Sequence, residues 1–421
     1  MKKRYDTMIE NYEERIIENR RNLHMCPETG FNEYNTTKYI IECLKQYGIE
    51  YERINVDATG LVDDSTKQYF TRAGASLPSR VTTGVVATIS GIESGKTVAI
   101  RGDIDGLNIP EETGLEFSSK NEGYMHACGH DCHTAMLLGA AKMLADNKDK
   151  IKGTVKLIFQ PAEEGPAPGG ARIVMESGLI DDVDAIFGIH VTPNIPTGYI
   201  EIPNTEAMAA TDLFDIKIIG KGTHAMSPHL GIDPIYMASI IIGQFQGIIG
   251  REIDPIEKAL ISIGKIQGGT AFNAIPTEVN LLGTVRTFNE NIRNAIFNKM
   301  ENVVKGTTEM YGGSYEFTRL KGYSATINDK RMSMFVKKVC EGIKDISGVT
   351  MSDVPKLGGE DFSHYLETRQ GAFIWLGCGG NEVSDKECLH NSRMVVDEDS
   401  LIIGSKLYKE IAIEYLNKED F

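Results

Sequence analysis

The spacing of apolar positions divides the chain into two kinds of segment. Residues 5–48 read as a helix, a loop "CPETGFNEYNT" and a second helix "TKYIIECLKQYG" that stops at glycine. Short β-rich runs follow, "VVATIS" at Val85–Ser90 and "TVAI" at 97–100, with "GIESGK" between them as a turn. "TVKLIFQ" (154–160) and "AIFGIHV" (185–191) are continuously apolar, as in strands covered on both faces. Helical periodicity occupies 133–146 and 170–178. Strands alternating with helices predict an α/β fold, a mostly parallel sheet with helices on both faces.

The pattern changes near residue 208. "TDLFDIKIIGKG", "ALISIGKIQGG" and "TEVNLLGTVRTF" alternate polar and apolar positions. "HLGIDPIYMASIIIGQFQGIIG" and "NENIRNAIFNKMENVVKGTTEMYG" read as helices, and "SYEFTRLKGY" closes the set as a strand. Strand, helix, two strands, helix, strand forms a compact α+β unit, placed as an insertion at 208–321. Long helices resume with "KRMSMFVKKVCEGIKDI", and "GAFIWLGCG" is another buried strand.

A chain of 421 residues exceeds what one hydrophobic core serves, in keeping with this division. No run of 18 or more apolar residues occurs, so no membrane span is expected. The charged start "MKKRYDTMIENYEERII" lacks the apolar stretch of a signal peptide, and a cytoplasmic location is expected. The net charge of −15 is spread rather than blocked, which argues against a nucleic-acid partner. Seven widely spaced cysteines make a disulfide framework improbable. Cys43 and Cys340 fall in helical patterns and read as buried thiols. Cys128 and Cys132 remain to be explained.

Both lie in "HACGHDCH", just before a helix. Cys128 and His130 stand two apart, so on extended backbone they face the same side and one metal centre can take both. A closed structural zinc site needs four ligands, and no second cysteine pair exists. His126 and His133 read as loop or helix-cap groups. "FQPAEEG" sets Glu163 and Glu164 after a buried strand, where α/β enzymes place ligands. Adjacent side chains diverge, so one glutamate can bind metal while the other faces a water. Asp103 and Asp105 ("RGDIDG"), His190 ("GIHVTPN") and His390 ("CLHNS") each follow a strand or lie in a late loop. Singly they are weak signals; together they point to a dinuclear metal site assembled from scattered loops.

These residues resemble the two-metal aminoacylase/carboxypeptidase superfamily of metallopeptidases. Within it they resemble the amidohydrolase branch of hippurate, N-acyl-amino-acid, indoleacetyl-amino-acid and p-aminobenzoyl-glutamate hydrolases. "RGDIDGL", "MHACGHDCHTAMLLGAAKML", "GKGTHAMSPHLGIDPI", "GGTAFNAIPTEVNLLGTVRTF", "GGEDFSHYL" and "CLHNS" carry the resemblance in family order. It implies a catalytic metal-binding domain of residues 1–207 and 322–421, and an inserted lid or dimerisation domain at 208–321. It implies two divalent ions, manganese or zinc, on Cys128, His130, Glu164, His190 and His390. Glu163 matches the general base and Asp105 a supporting position. His224 matches a histidine that reaches the partner subunit's site, and Asn273 and Arg286 match the binders of the substrate carboxylate. The expected enzyme is a homodimeric metallo-amidohydrolase cleaving the amide of small N-acyl or N-aroyl amino acids. A dipeptidase or N-acetyl-diamino-acid deacetylase on the same site is the alternative. Cys132 stands where the family usually has glycine, and "DDSTKQYFTRAGASLPSRV" (63–81) extends the early region, as in aminobenzoyl-glutamate hydrolases.

Overall fold

The computed structural model describes residues 2–64, 66, 67, 77–165, 167–380 and 388–418, with side chains described from residue 12 onward. Part of the 63–81 extension, residues 65 and 68–76, lies outside these. The strands that build the two main sheets are β1 (Glu50–Arg53), β2 (Val85–Ser90), β3 (Glu93–Asp103), β4 (Lys152–Gln160), β5 (Ala185–Thr192), β6 (Tyr199–Pro203), β7 (Ala210–Ile219), β8 (Ala259–Gly268), β9 (Glu278–Thr287), β10 (Ser314–Lys321), β11 (Gly348–Ser352) and β12 (Gln370–Gly377). The principal helices are α1 (Lys2–His24), α2 (Tyr34–Tyr47), α3 (His130–Ala145), α4 (Gly170–Glu176), α5 (Pro234–Gly247), α6 (Glu290–Tyr311), α7 (Lys330–Glu341) and α8 (Asp399–Asn417).

The large sheet has eight strands in the order β1-β2-β4-β3-β5-β12-β6-β11. Its centre, β4-β3-β5-β12, is parallel, as the continuous apolar runs demand. The β1–β2, β2–β4 and β12–β6 pairings are antiparallel, so the sheet is mixed towards its flanks. Helices α1, α2, α3, α7 and α8 cover one face through a core that includes Leu23, Ile40, Leu137, Phe335 and Leu407. On the other face α4 and the turn Ser363–Leu366 cover a smaller core of Ile158, Ile173, Phe362, Phe373 and Trp375. Cys43 and Cys340 are buried thiols, as their helical patterns predict.

Between β6 and β11 the chain builds a second, four-stranded antiparallel sheet, β8-β9-β7-β10, under α5 and α6. It has its own core, including Phe214, Ile241, Phe245, Leu281 and Met300. The α+β insertion follows the alternation in the sequence closely. Three local readings are corrected. "GIESGK" is not a separating turn: 93–96 belong to β3, with an irregularity in register before Thr97. A Cβ at Gly95 would stand 2.8 Å from the Lys152 carbonyl oxygen, so the chain runs too close to β4 there for any larger residue. The helix read from "HLGIDPIY" starts only at Pro234, because Asp233 accepts the amide hydrogens of Ile235 and Tyr236 and caps it. The helix read through "KVCEGIKDI" ends at Glu341.

α1 is fastened to the start of α3 by buried charge. Arg20 and His24 stand one turn apart on α1. Arg20 Nε donates to Asp131 Oδ2 at 2.9 Å, and its Nη1 reaches Glu398 at 3.2 Å. His24 Nδ1 lies 2.8 Å from the same Asp131 oxygen and Nε2 lies 3.2 Å from Glu111. Burial alone would lower the His24 pKa, but the Asp131 charge and the bonds to Asp131 and Glu111 outweigh it and raise the pKa from 6.5 to about 8. A raised cationic pKa stabilises the fold fully below pH 6.5, and that contribution is lost as pH rises through about 8. Urea unfolding should therefore show the wild-type stability falling across this window by up to about 2 kcal/mol more than that of His24→Gln. Equal pH slopes for the two proteins would refute a charged His24.

Candidate active site

The candidate site lies at the carboxyl ends of β3, β4 and β5, where a parallel sheet opens into a crevice. Asp103 ends β3 and Asp105 follows it, Glu163 and Glu164 follow β4, and His190 lies near the end of β5. Cys128 and His130 enter at the start of α3. His390 arrives from the loop before α8, its backbone N–H bonded to the Ala127 carbonyl at 2.7 Å.

Local backbone conformation aims these groups. Gly129, between Cys128 and His130, has φ 85°, and a Cβ there would fall 2.5 Å from Val191 Cγ2. Only glycine both makes that turn and lets β5 approach. Ala162 adopts φ 51° after Pro161, a strained value for a residue with a Cβ. It is held there by the buried Glu33 carboxylate, which accepts its N–H at 2.7 Å, and by the Gly170 N–H, which donates to its carbonyl at 3.0 Å. His390, at φ 64°, is likewise in the left-handed region.

Hydrogen bonds sort the histidines. His130 Nδ1 lies 3.0 Å from the Asp105 carbonyl and 3.1 Å from its carboxylate, so it carries the proton. Its buried Nε2 has no hydrogen-bond partner. His190 Nδ1 donates to the Val191 carbonyl at 2.6 Å, which leaves Nε2 facing Cys128 Sγ at 3.4 Å. His190 thus presents an unprotonated Nε2, the form that binds a cation, whereas for His130 burial is outweighed by Asp103 and Asp105, which raise its pKa to about 10, so His130 Nε2 binds a cation by giving up its proton. His133 differs: Nδ1 donates to Asp103 at 2.5 Å and Nε2 accepts the Val191 N–H at 2.9 Å. With both nitrogens engaged it serves as a support. Neither nitrogen of His126 has a partner among the described residues, and burial holds its pKa down to about 4.

The donors form adjoining sets. Atoms of Cys128, His130 and His190 lie within 4.8 Å of one another, as do those of Cys128, Glu164 and His390, and those of His130, Glu163 and Glu164. Cys128 belongs to the first two sets, so it stands between two possible ion positions. The two glutamates diverge: Glu164 Oε1 approaches His390 Nε2 at 2.8 Å, whereas Glu163 Oε2 is 3.9 Å from His130 Nε2 and borders Glu360 and Asp361. Burial, then the charges of Glu360 and Glu164, push the Glu163 carboxyl well up. Burial also pushes Glu164 upward, but the His390 hydrogen bond and the His130 charge outweigh it and hold it below the usual value. Burial and the two glutamates drive the Cys128 thiol well up, so a thiolate there needs a cation beside it. Unpaired imidazole nitrogen, a crowded thiol and convergent carboxylates fit divalent metal ions.

Beneath the donors lies a layer that local sequence reading missed. Arg101, 2% exposed in β3, donates to Gln160 Oε1, Asp103 Oδ2, Glu360 Oε1 and Asp361 Oδ1 at 2.7–2.9 Å. Its signal in the sequence was an arginine interrupting an apolar strand; Glu360 and Asp361 lay unassigned in "GGEDF". Glu33 had no signal beyond its place in a loop.

The insertion residues are placed differently. His224 and Asn273 lie beside each other at the small ladder Thr223–His224/Ala274–Ile275, where the Asn273 carbonyl accepts the Ala225 N–H at 3.0 Å. Among the described residues neither bonds to the donor cluster of its own chain. Arg286 on β9 donates through Nε to the Leu357 carbonyl at 3.1 Å, against the loop that leads into Glu360.

Residues 99–414 match peptidase family M20/M25/M40. Thermostable carboxypeptidase 1 of Saccharolobus solfataricus is 38% identical over 414 residues, 97% of this chain and 98% of that one. N-acetylcysteine deacetylase of Bacillus subtilis is 38% identical over 399 residues, 95% and 96% of the two chains. A solved dinuclear metal-binding peptidase of the M20 family from Bacillus subtilis superposes with a TM-score of 0.78 at 36% identity, covering 97% of this chain and 99% of that one. Agreement of this kind along nearly the whole length settles the kinship: the chain belongs to peptidase family M20/M25/M40 and is a hydrolase of amide or peptide bonds.

Proposed function

We propose that the protein is a dinuclear-metal amidohydrolase that releases an amino acid from its N-acyl or N-aroyl derivative. The observation that carries this reading is the pair of imidazoles, His130 and His190, whose Nδ1 protons are tied back while Nε2 faces a buried thiol or has no partner. Cys128, His130, Glu164, His190 and His390 are the residues that would hold the ions, and Cys128 belongs to two of the donor sets. Manganese and zinc both suit this mixture of thiolate, imidazole and carboxylate. Two divalent ions bound there supply Lewis acidity to the scissile carbonyl and lower the pKa of water.

The chain's own groups do the rest. Glu163 stands beside the donors without sharing the Glu164–His390 contact, so it is free to take a proton from the attacking water and deliver it to the leaving nitrogen. Its raised pKa suits a group that must also give the proton back. Asp105 holds the His130 proton with Oδ1 and accepts the Glu164 backbone N–H with Oδ2 at 2.9 Å, linking two ligands. Arg286 and Asn273 clamp the free carboxylate of the substrate, and His224 stabilises the developing oxyanion.

His224 is exposed and away from the cluster of its own chain, so this role falls to the site of a partner subunit. A homodimer through residues 208–321, acting also as a lid, is supported by exposed Met226, Ile266 and Phe272 and by the open edge of β8. Relatives named as carboxypeptidases and as N-acetylcysteine deacetylases keep the dipeptidase or deacetylase alternative in play, and a panel of N-benzoyl, N-acetyl and dipeptide substrates separates them.

Glu163→Gln should retain its metal by elemental analysis and lose about 10²–10⁴-fold in kcat. Substantial turnover in that variant would remove Glu163 from the role of base. Asp105→Asn should weaken metal affinity about 10–100-fold in a chelator competition, and an unchanged affinity would sink its supporting role. Dissociated and remixed Glu163→Gln and His224→Ala chains should regain activity that neither homodimer has, because one site of each mixed dimer is complete. If the mixture stays inactive while mixed dimers form, His224 does not act across subunits.

A further inference from the structure

Next to His190 the large sheet buries hydrogen-bond donors with no matching acceptor. Trp375, the chain's single tryptophan, lies on β12 directly opposite His190 in register, with ring centroids 5.1 Å apart. Its indole N–H is buried and has no hydrogen-bond partner. An indole nitrogen donates only, so an acceptor is what it lacks. Lys356 Nζ rests 3.6 Å from the same ring's centroid. Among the described residues no carboxylate lies within ion-pair distance of this ammonium; Glu201 acts on it from farther away. Burial lowers the Lys356 pKa, the mark of a cation short of counter-charge.

The backbone fixes Lys356 in this place. Its N–H donates to the Ala207 carbonyl at 2.9 Å and its carbonyl accepts the Ala209 N–H at 3.1 Å, where the chain passes from the large sheet into the insertion. The next residue, Leu357, receives Arg286 through its carbonyl. Lys356 and Arg286 therefore flank one loop, and neither has a carboxylate partner at ion-pair distance among the described residues. One free carboxylate of an N-acyl amino acid satisfies Arg286 and leaves Lys356 and the indole N–H unmatched.

We propose that Lys356 and the Trp375 indole N–H form a subsite for a second carboxylate on the substrate, so that the preferred substrates are dicarboxylates. This rests on the amidohydrolase reading. The second carboxylate has two possible sources, the side chain of an acidic amino acid or the far end of a dicarboxylic acyl group.

Trp375 makes the test direct, because its emission comes from within the subsite. Metal-loaded Glu163→Gln protein, which binds without turning over, is titrated with N-acetyl-L-glutamate against N-acetyl-L-glutamine. In parallel, N-succinyl-L-alanine is compared with the amide of its succinyl end. Calorimetry supplies Kd where emission does not change. One dicarboxylate should bind about 10–100-fold more tightly than its neutral partner, and which one identifies the source. Lys356→Met should bring that ratio towards one, and Lys356→Arg should keep most of it. Binding of the neutral ligand by Lys356→Met shows that the variant is folded. Equal affinity within both pairs, or a ratio that survives Lys356→Met, overturns the subsite. Wild-type turnover of the N-benzoyl, N-acetyl and dipeptide panel judges the amidohydrolase reading separately: no hydrolysis across that panel overturns it, while the binding ratios still judge the subsite.

Discussion

Arg101 is the constraint on which the site depends. A guanidinium buried in the middle of a sheet is tolerable only if its donors are matched, and here they meet Gln160, Asp103, Glu360 and Asp361. These partners come from β3, β4 and the 360–361 loop that follows the insertion, so one planar fork draws three separate segments together. Asp103 in turn orients His133, and His133 accepts the Val191 N–H beside His190. Asp361 also accepts Gln160 Nε2 and the Ala171 N–H, which sets the start of α4. Removing one member of such a buried set leaves an uncompensated charge, at a cost of about 3–5 kcal/mol.

The site consequently has two electrostatic layers. In the lower one the carboxylates share a resident cation. In the upper one Glu163, Glu164, Cys128 and the two imidazole Nε2 atoms converge without one. Repulsion and desolvation there favour whatever brings positive charge in, and they also divide the labour between adjacent glutamates. Glu164 leans to His390 and stays ionised, whereas Glu163 borders Glu360 and Asp361 and holds a proton more readily.

Much of this was legible before the fold was seen. Some of the site residues could be picked out because they end a run too apolar to be anything but a buried strand, as with Glu163 and Glu164 after "TVKLIFQ" and His190 within "AIFGIHV", whereas Cys128, His130 and His390 were found by residue type and by resemblance. The strands of the insertion were readable because one face meets solvent and the alternation survives. Other features depend on contacts that no window of sequence contains. Arg101 meets Glu360 across 259 positions. His126 and His130 have similar surroundings in sequence, and the Asp105 contact that aims His130 is another that no window of sequence contains. β6, β11 and α8 went unread: the first two are short and take their place from pairing. The displaced start of α5 came from a cap that outweighed apolar periodicity in "HLGI".

The split of the donors around the insertion has a consequence for biosynthesis. Cys128, His130, Glu164 and His190 precede it, and half-exposed His390 comes 200 residues after His190. At ribosomal rates of about 5–20 residues per second, that interval lasts roughly 10–40 s. During it the nascent chain holds a thiol and two imidazoles but not the last donor, nor the Glu360–Asp361 pair that anchors Arg101. The cluster is thus finished only when the protein is almost fully made, so its final geometry is set by the last part of the chain to fold rather than by the first.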